Sequence, residues 1–296
     1  MKTDILKKVS ERVLLLDSAM GTMLQQKGLD SGNEAGELWN TDRNNSNKVR
    51  QVHRANVEAG SDLILTNTFG ANRFKLEHYG AAKQAGEICA AAARLAREAA
   101  EPETYIAGDI GPTGEILEQW GGSRPAGEIR SGFEEQVAGL LEGEVDLFIL
   151  ETFMDIEELK LALEAVRAAS SLPVIASMTF QEQTGELRTM WGLSPDQAAR
   201  GLTEAGVDIV GANCGLGSSE MVKVVGRMAE GTRLPLCAQP NAGLPEVVDG
   251  RTIYRETPEQ MAEKALFLAE AGARIVGGCC GSTPEFIAAA KEKLGI

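Results

Sequence analysis

"VDLFILETFMDIEELKLALEAVRAA", Val145 to Ala169, holds one complete strand–helix unit, and its recurrence decides the fold. VDLFILET is nearly all apolar, as a strand covered on both faces should be. From Asp155 onward the apolar spacing changes to three and four, with Asp155 itself placed as an N-cap. Similar apolar or β-branched runs stand at RVLLLD, DLILTNTF, YIAGDIG, PVIASMTF, VDIVGANC, LPLCAQP and RIVGGCC, which makes eight in all. Other helical stretches open on a cap followed by proline: Ser194-Pro195, Thr257-Pro258 and Thr283-Pro284. Eight such units in 296 residues predict a (β/α)8 TIM barrel. A doubly wound open sheet is the alternative, but it has no need of eight similar units. No linker or low-complexity segment interrupts the pattern. Residues 1–296 are therefore taken as one domain, with Gly28 to Asn47 as an enlarged first loop.

Composition narrows the function classes. The chain is 43% hydrophobic and 24% charged, with a net charge of -14. So acidic a surface argues against nucleic acid or an anionic membrane as partner. No apolar run approaches the roughly 20 residues of a membrane span. MKTDILKKVSER lacks the apolar core of a signal peptide. Five cysteines without a framework spacing fit a reducing compartment, and a cytoplasmic location is expected.

Active sites of such barrels form at the C-terminal ends of the strands. Those ends read DSAMGT, TNTFGA, GDIGPTG, ETF, SMTF, NCG, QPNAG and GGCCGS. Cys214 ends the sixth run, and Cys279 and Cys280 end the eighth. Successive residues of a strand face opposite ways, so two adjacent cysteines share a target only where the strand has ended and the chain bends. Gly277, Gly278 and Gly281 permit that bend. Even-numbered strands share layers inside a barrel, so the three thiols can converge. A disulfide between neighbours would be strained and would leave Cys214 unexplained.

Three thiolates suit zinc, which prefers four ligands and would keep one position open for a substrate. The two histidines, His53 and His78, lie away from every strand end, and His53 reads as a packing or surface residue. Cys89 reads as a core filler of an alanine-rich helix, and Cys237 as a buried residue of the seventh strand. A free thiol is only a few per cent ionised at pH 7. A zinc site of this kind would ionise a thiol substrate for attack on an electrophile.

The segments LLLDSAMGTMLQ, SDLILTNTFGANRFKL, GDIGPTGE, ETFMDIEELKLAL, GANCGLG, QPNAGLP and GGCCGSTPEF together resemble the homocysteine S-methyltransferase family. Within it, the likeness is greatest to the homocysteine-binding module of cobalamin-dependent methionine synthase. It runs from Val13 to Phe286. The resemblance implies a (β/α)8 barrel, zinc held by Cys214, Cys279 and Cys280, and methyl transfer to homocysteine to give methionine. One departure is Ser18, which follows Asp17 where the family usually has glycine.

Charge then assigns the substrate contacts. Glu151 can pair with the ammonium of homocysteine, with Asp17 assisting or orienting its loop. Backbone N–H groups of Ser18 and Ala19 can hold the carboxylate, since Gly21 allows a tight turn. Ser177, Asn213 and Asn241 are further polar candidates at the same mouth. Gly111 and Gly114 are too few to make a phosphate cradle.

The methyl donor has three readings. Methylcobalamin, free or on a corrinoid protein or cobalamin module, is favoured by the closeness of the resemblance. A small cation such as betaine or S-methylmethionine is the second, and it would want an aromatic cage. A non-catalytic zinc- and thiol-binding subunit of a larger methyltransferase is the third. Trp39, Trp120 and Trp191 are scattered, with only Trp39 and Trp120 expected in rim loops. Residues 28–47 and 112–130 are candidates for a donor or partner surface. The chain ends ten residues past its last motif, which leaves no room for folate, cobalamin or activation modules, and either a fragment or a free-standing subunit fits.

Overall fold

The computed structural model describes residues 4–248 and 251–296; the first three residues of the 1–296 span, and residues 249 and 250, lie outside the described residues. Among the described residues, eight parallel strands make one sheet: β1 (Leu14–Leu15), β2 (Leu63–Leu65), β3 (Tyr105–Ile110), β4 (Leu147–Phe153), β5 (Val174–Met178), β6 (Ile209–Gly217), β7 (Leu236–Asn241) and β8 (Ala273–Val276). Each pairs with its sequence neighbour, β1 pairs with β8, and a parallel bridge from Leu16 to Leu63 joins β1 to β2. The ring therefore closes, and helices fill the intervals. This is the TIM barrel expected from the eight repeats.

Strand parity sorts the core into two shells. Leu14, Leu16, Leu63, Leu65, Tyr105, Ala107, Leu147, Ile149, Ile175, Ile209, Cys237 and Ile275 fill the interior. Their neighbours Leu15, Ile64, Ile106, Phe148, Leu150, Val174, Val210 and Val276 pack outward beneath the helices. Burial on both faces is why the runs read as continuously apolar. Helix α1 (Ile5–Glu11) adds Ile5 and Val9 to the interior shell. Cys89 and Cys237 are both buried in these shells.

Period two then continues toward the C-terminal ends. Two residues beyond Ala107, Ile149, Ile175 and Cys237 come Asp109, Glu151, Ser177 and Gln239, all buried. The interior thus changes from hydrocarbon to polar groups as it nears the mouth.

Helix starts follow the expected chemistry at Asp155, which accepts from the Glu157 amide, and at Thr257, which forms a capping box with Gln260. Thr283 stands at the N-cap position but makes no side-chain cap bond. Two hairpins that the eight-run pattern does not contain rise from the β5 and β7 loops: Gln181–Gln183 with Glu186–Arg188, and Glu246–Val248 with Arg251–Ile253. No described helix is long and apolar enough to cross a membrane.

Candidate active site

The three sulfurs of Cys214, Cys279 and Cys280 all lie within 4.8 Å of one another. Cys280 Sγ is 4.0 Å from Cys214 Sγ and 3.9 Å from Cys279 Sγ. A tetrahedral zinc with bonds of about 2.3 Å sets its sulfur ligands roughly 3.8 Å apart, so this donor set fits one such ion with little movement. All five cysteines are free.

Two different backbone devices create the cluster. After β8 the strand has ended: the Gly277 amide donates to Ala238 O, and the Cys279 amide to Pro240 O. A Cβ on Gly277 would stand 2.9 Å from Leu16 Cβ, so the close passage against β1 needs glycine. Cys214 is not at a strand end as expected. It sits within β6, where pairing with β7 shifts register between Asn213 and Gly217. Its φ of 57 is left-handed, a conformation that turns its side chain out of the strand's alternation. The sulfurs share protons. Contacts with Cys214 and Cys279 hold the Cys280 thiol pKa low, and contacts with Cys214 and then Cys280 hold that of Cys279 high. Tyr254, whose ring packs over Gly281, further lowers the pKa of the Cys280 thiol.

The cluster forms one wall of a cleft of about 400 Å³ that is also lined by Asp17, Ser18, Ala19, Asp109, Glu151 and Gln239. Glu151 is buried and accepts from Gln239 Nε2 at 3.1 Å. Burial pushes its carboxyl up to about 7 against that hydrogen bond, with the negative charge of Cys280 adding to the rise. Asp17 is also pushed well up by burial, although it accepts from the Leu65 amide at 2.9 Å. Asp109 is raised by burial and by the charges of Glu151 and Asp17, and its Oδ1 has no partner. The cleft thus concentrates carboxylate beside thiol, a surrounding suited to a ligand carrying both a cationic group and a thiol.

The remaining expected contacts fall elsewhere. The Ser18 amide and hydroxyl both donate to Asn56 Oδ1, at 2.9 and 2.8 Å. The Ala19 amide donates to the Ser282 hydroxyl at 3.1 Å, and that hydroxyl donates to Cys279 O. Both amides assigned to a carboxylate are therefore engaged within the protein, and the Ser18 hydroxyl gives the residue a second bond that glycine would lack. Ser177, Asn213 and Asn241 are buried but do not line the cleft. The Ser177 hydroxyl and Asn241 Oδ1 have no partner, while Asn213 is bound at both ends to Thr152.

Sequence reading misses Asp109, Gln239, Asn56, Thr152, Ser282 and Tyr254. Strand alternation can find Asp109 and Gln239, each two residues beyond an interior position. Thr152 adjoins Glu151 in β4 and Ser282 lies two residues beyond Cys280, while Asn56 and Tyr254 reach the site from a separate helix and loop, with no local signal. Trp191 is not expected at the rim from sequence, yet its ring stacks on Trp120 with centroids 5.1 Å apart. Trp39 is buried and donates to Glu34. His53 is buried with neither ring nitrogen partnered.

Residues 14–294 match the family model described as Homocysteine S-methyltransferase. The chain is 35% identical to the methionine synthase of Mycobacterium tuberculosis (strain ATCC 25618 / H37Rv), over 96% of this chain and 25% of that one. It is 33% identical to the methionine synthase of Mycobacterium leprae (strain TN), over 96% of this chain and 24% of that one. It thus spans about a quarter of the length of these relatives. The metallated homocysteine methyltransferase MmuM from Escherichia coli superposes with a TM-score of 0.77 at 24% identity, covering 95% of this chain and 96% of that one, a likeness of fold. With its sequence matched almost end to end, the chain belongs to the homocysteine S-methyltransferase family.

Proposed function

We propose that this barrel binds zinc through Cys214, Cys279 and Cys280 and transfers a methyl group to the thiol of homocysteine, giving methionine. The observation that carries the reading is the juxtaposition of the three sulfurs with buried Glu151 in one cleft. Zinc held there would supply an open position that keeps the substrate thiol ionised, worth roughly 2 kcal/mol for a thiol of pKa near 8.5 at pH 7. Glu151 receives the α-ammonium, aided by Asp17, and that pairing favours the ionised form of a carboxyl otherwise poised near neutrality. Gln239 holds Glu151 in place. For the carboxylate, the Ser18 amide is committed to Asn56. The Ala19 amide and the first turn of helix α2 (Met20–Gln26), which has no side-chain cap, are the better receivers. Substrate would there replace the hydroxyl of Ser282. Ser177, Asn213 and Asn241 support the walls rather than the ligand.

For the donor we favour methylcobalamin, free or presented by a corrinoid-binding protein or module. Exposed apolar side chains crowd the loops that follow the strands: Ile116 and Trp120 after β3, Met154 after β4, Met190 and Trp191 after β5, Leu244 and Val247 after β7. Such a rim suits a protein partner around an open mouth. Trp120 and Trp191 cover each other's faces and stand outside the cleft lining, so they make a poor cage for betaine or S-methylmethionine. Free cysteines support a reducing, cytoplasmic setting. The test is methionine formation from homocysteine with each donor at equal concentration. Turnover with methylcobalamin, faster with a corrinoid-binding protein, is expected. Activity with betaine alone overturns the donor. Zinc and homocysteine binding without turnover on any donor favours a binding subunit.

A further inference from the structure

Two residues at the mouth adopt a backbone conformation that side chains avoid. Thr152, directly after Glu151, has φ 62, and Cys214 has φ 57. Thr152 is β-branched, which makes left-handed backbone especially unfavourable. Each lies where its strand loses register: β4 between Leu150 and Phe153, β6 between Asn213 and Gly217. Asn213 connects the two breaks. Its Nδ2 donates to Thr152 Oγ1 at 2.7 Å, and its Oδ1 accepts from the Thr152 amide at 2.8 Å. The side chain is fully buried and reaches past β5, whose following residue Thr179 donates its hydroxyl to Asn213 O and its amide to Phe153 O.

From this geometry we infer that Asn213 is a positioning residue that locks Thr152 in the left-handed conformation and thereby fixes Glu151 relative to Cys214. The clamp acts as a ruler. Building on the proposed function, homocysteine must span from the sulfur cluster to the carboxylate, so the separation of these two strand ends selects its chain length. Cysteine, one methylene shorter, cannot reach both with equal ease. The residue adjoining each end of the ruler is tied by the same amide, so neither end moves alone. Unlike a residue that merely fills space, Asn213 acts through the conformation of one other residue, and glycine at 152 would adopt that conformation unaided.

The experiment compares Asn213→Ala, Thr152→Gly and the double variant. Zinc affinity is measured by chelator competition, and binding of homocysteine and cysteine to the zinc-loaded protein by calorimetry. Asn213→Ala should weaken zinc by about 10- to 100-fold, as loss of support behind a metal ligand does, and should shrink the preference for homocysteine over cysteine. Thr152→Gly should keep zinc affinity near wild type, and the double variant should recover most of what Asn213→Ala loses. Unchanged zinc affinity in Asn213→Ala, or an equal loss in the single and double variants, overturns the clamp. Should Asn213→Ala not fold, Thr152→Val removes only the hydroxyl bond. A several-fold loss of zinc affinity is then expected, and none overturns it. If wild-type protein binds zinc but no homocysteine, the proposed function fails while the zinc pattern still decides on the clamp.

Discussion

Gln239 Nε2 donates to Glu151 Oε2 across 3.1 Å, so the seventh strand holds a carboxylate close enough to Cys280 to feel its charge. In the proposed function this buried carboxylate receives the ammonium of the substrate. Glu151→Gln should weaken homocysteine about ten- to a hundredfold, the loss of a charged hydrogen bond. A thiol without the amino group should bind wild type and variant alike in calorimetry. Equal losses for both thiols would point to damage of the cleft instead.

The same pair sets a pH dependence. Burial pushes the Glu151 carboxyl up to about 7, and in the proposed function its ionised form is the one that would pair with the substrate's ammonium. Homocysteine affinity should therefore fall as pH drops from 8 to 6. Gln239→Leu removes the hydrogen bond that lowers the carboxyl, so its midpoint should move to higher pH. A midpoint unmoved, or moved downward, in binding titrations would exclude Glu151 as the titrating group.

Metal removal tests the sulfur cluster. Purified under reducing conditions, the protein should carry one zinc per chain by elemental analysis. Cys214→Ala, Cys279→Ala and Cys280→Ala should each lose it. Secondary structure should survive in all three, because the interior and outer shells contain none of these residues. Full zinc occupancy in every variant would end the assignment.

Ser18 lines the cleft, and its hydroxyl and amide share Asn56 Oδ1. Ser18→Gly keeps the amide bond and should cost only about 1 kcal/mol in a thermal or denaturant melt. Asn56→Ala strands the buried amide as well. It should cost about 1–3 kcal/mol and weaken homocysteine binding through the loosened Asp17–Ala19 segment. Equal effects of the two changes would contradict this division.

His53 predicts acid sensitivity. Burial lowers its pKa from 6.5 to about 4, and no partner stabilises its charged form. Above pH 6.5 it is neutral in folded and unfolded chains alike and contributes no pH dependence. Below that, the unfolded chain takes up the proton first, so stability falls between about pH 6.5 and pH 4, by about 3 kcal/mol from this group. His53→Leu should flatten the stability–pH curve over that window by comparable amounts. The difference between wild type and variant cancels the carboxyl titrations, and a difference constant with pH would refute the assignment.

Sequence by itself determined the barrel, because that information is local and periodic. A continuous apolar run such as VDLFILET is legible as a strand buried on both faces, and the Asp155 or Thr257 cap announces the next helix without knowledge of anything distant. Strand ends are then known, and with them Cys279, Cys280, Asp17 and Glu151. Tertiary structure alone decided how these groups are held. The left-handed turn at Cys214 arises from a register shift against another strand. The Ser18 amide is taken by Asn56 of helix α3 (Ser46–Ala59), 38 residues away, and the Ala19 amide by Ser282, 263 residues away. Asn213 of β6 serves Thr152 of β4 past the end of the intervening β5. A hydrogen bond between distant residues leaves no period in the sequence; only the folded barrel brings donor and acceptor together.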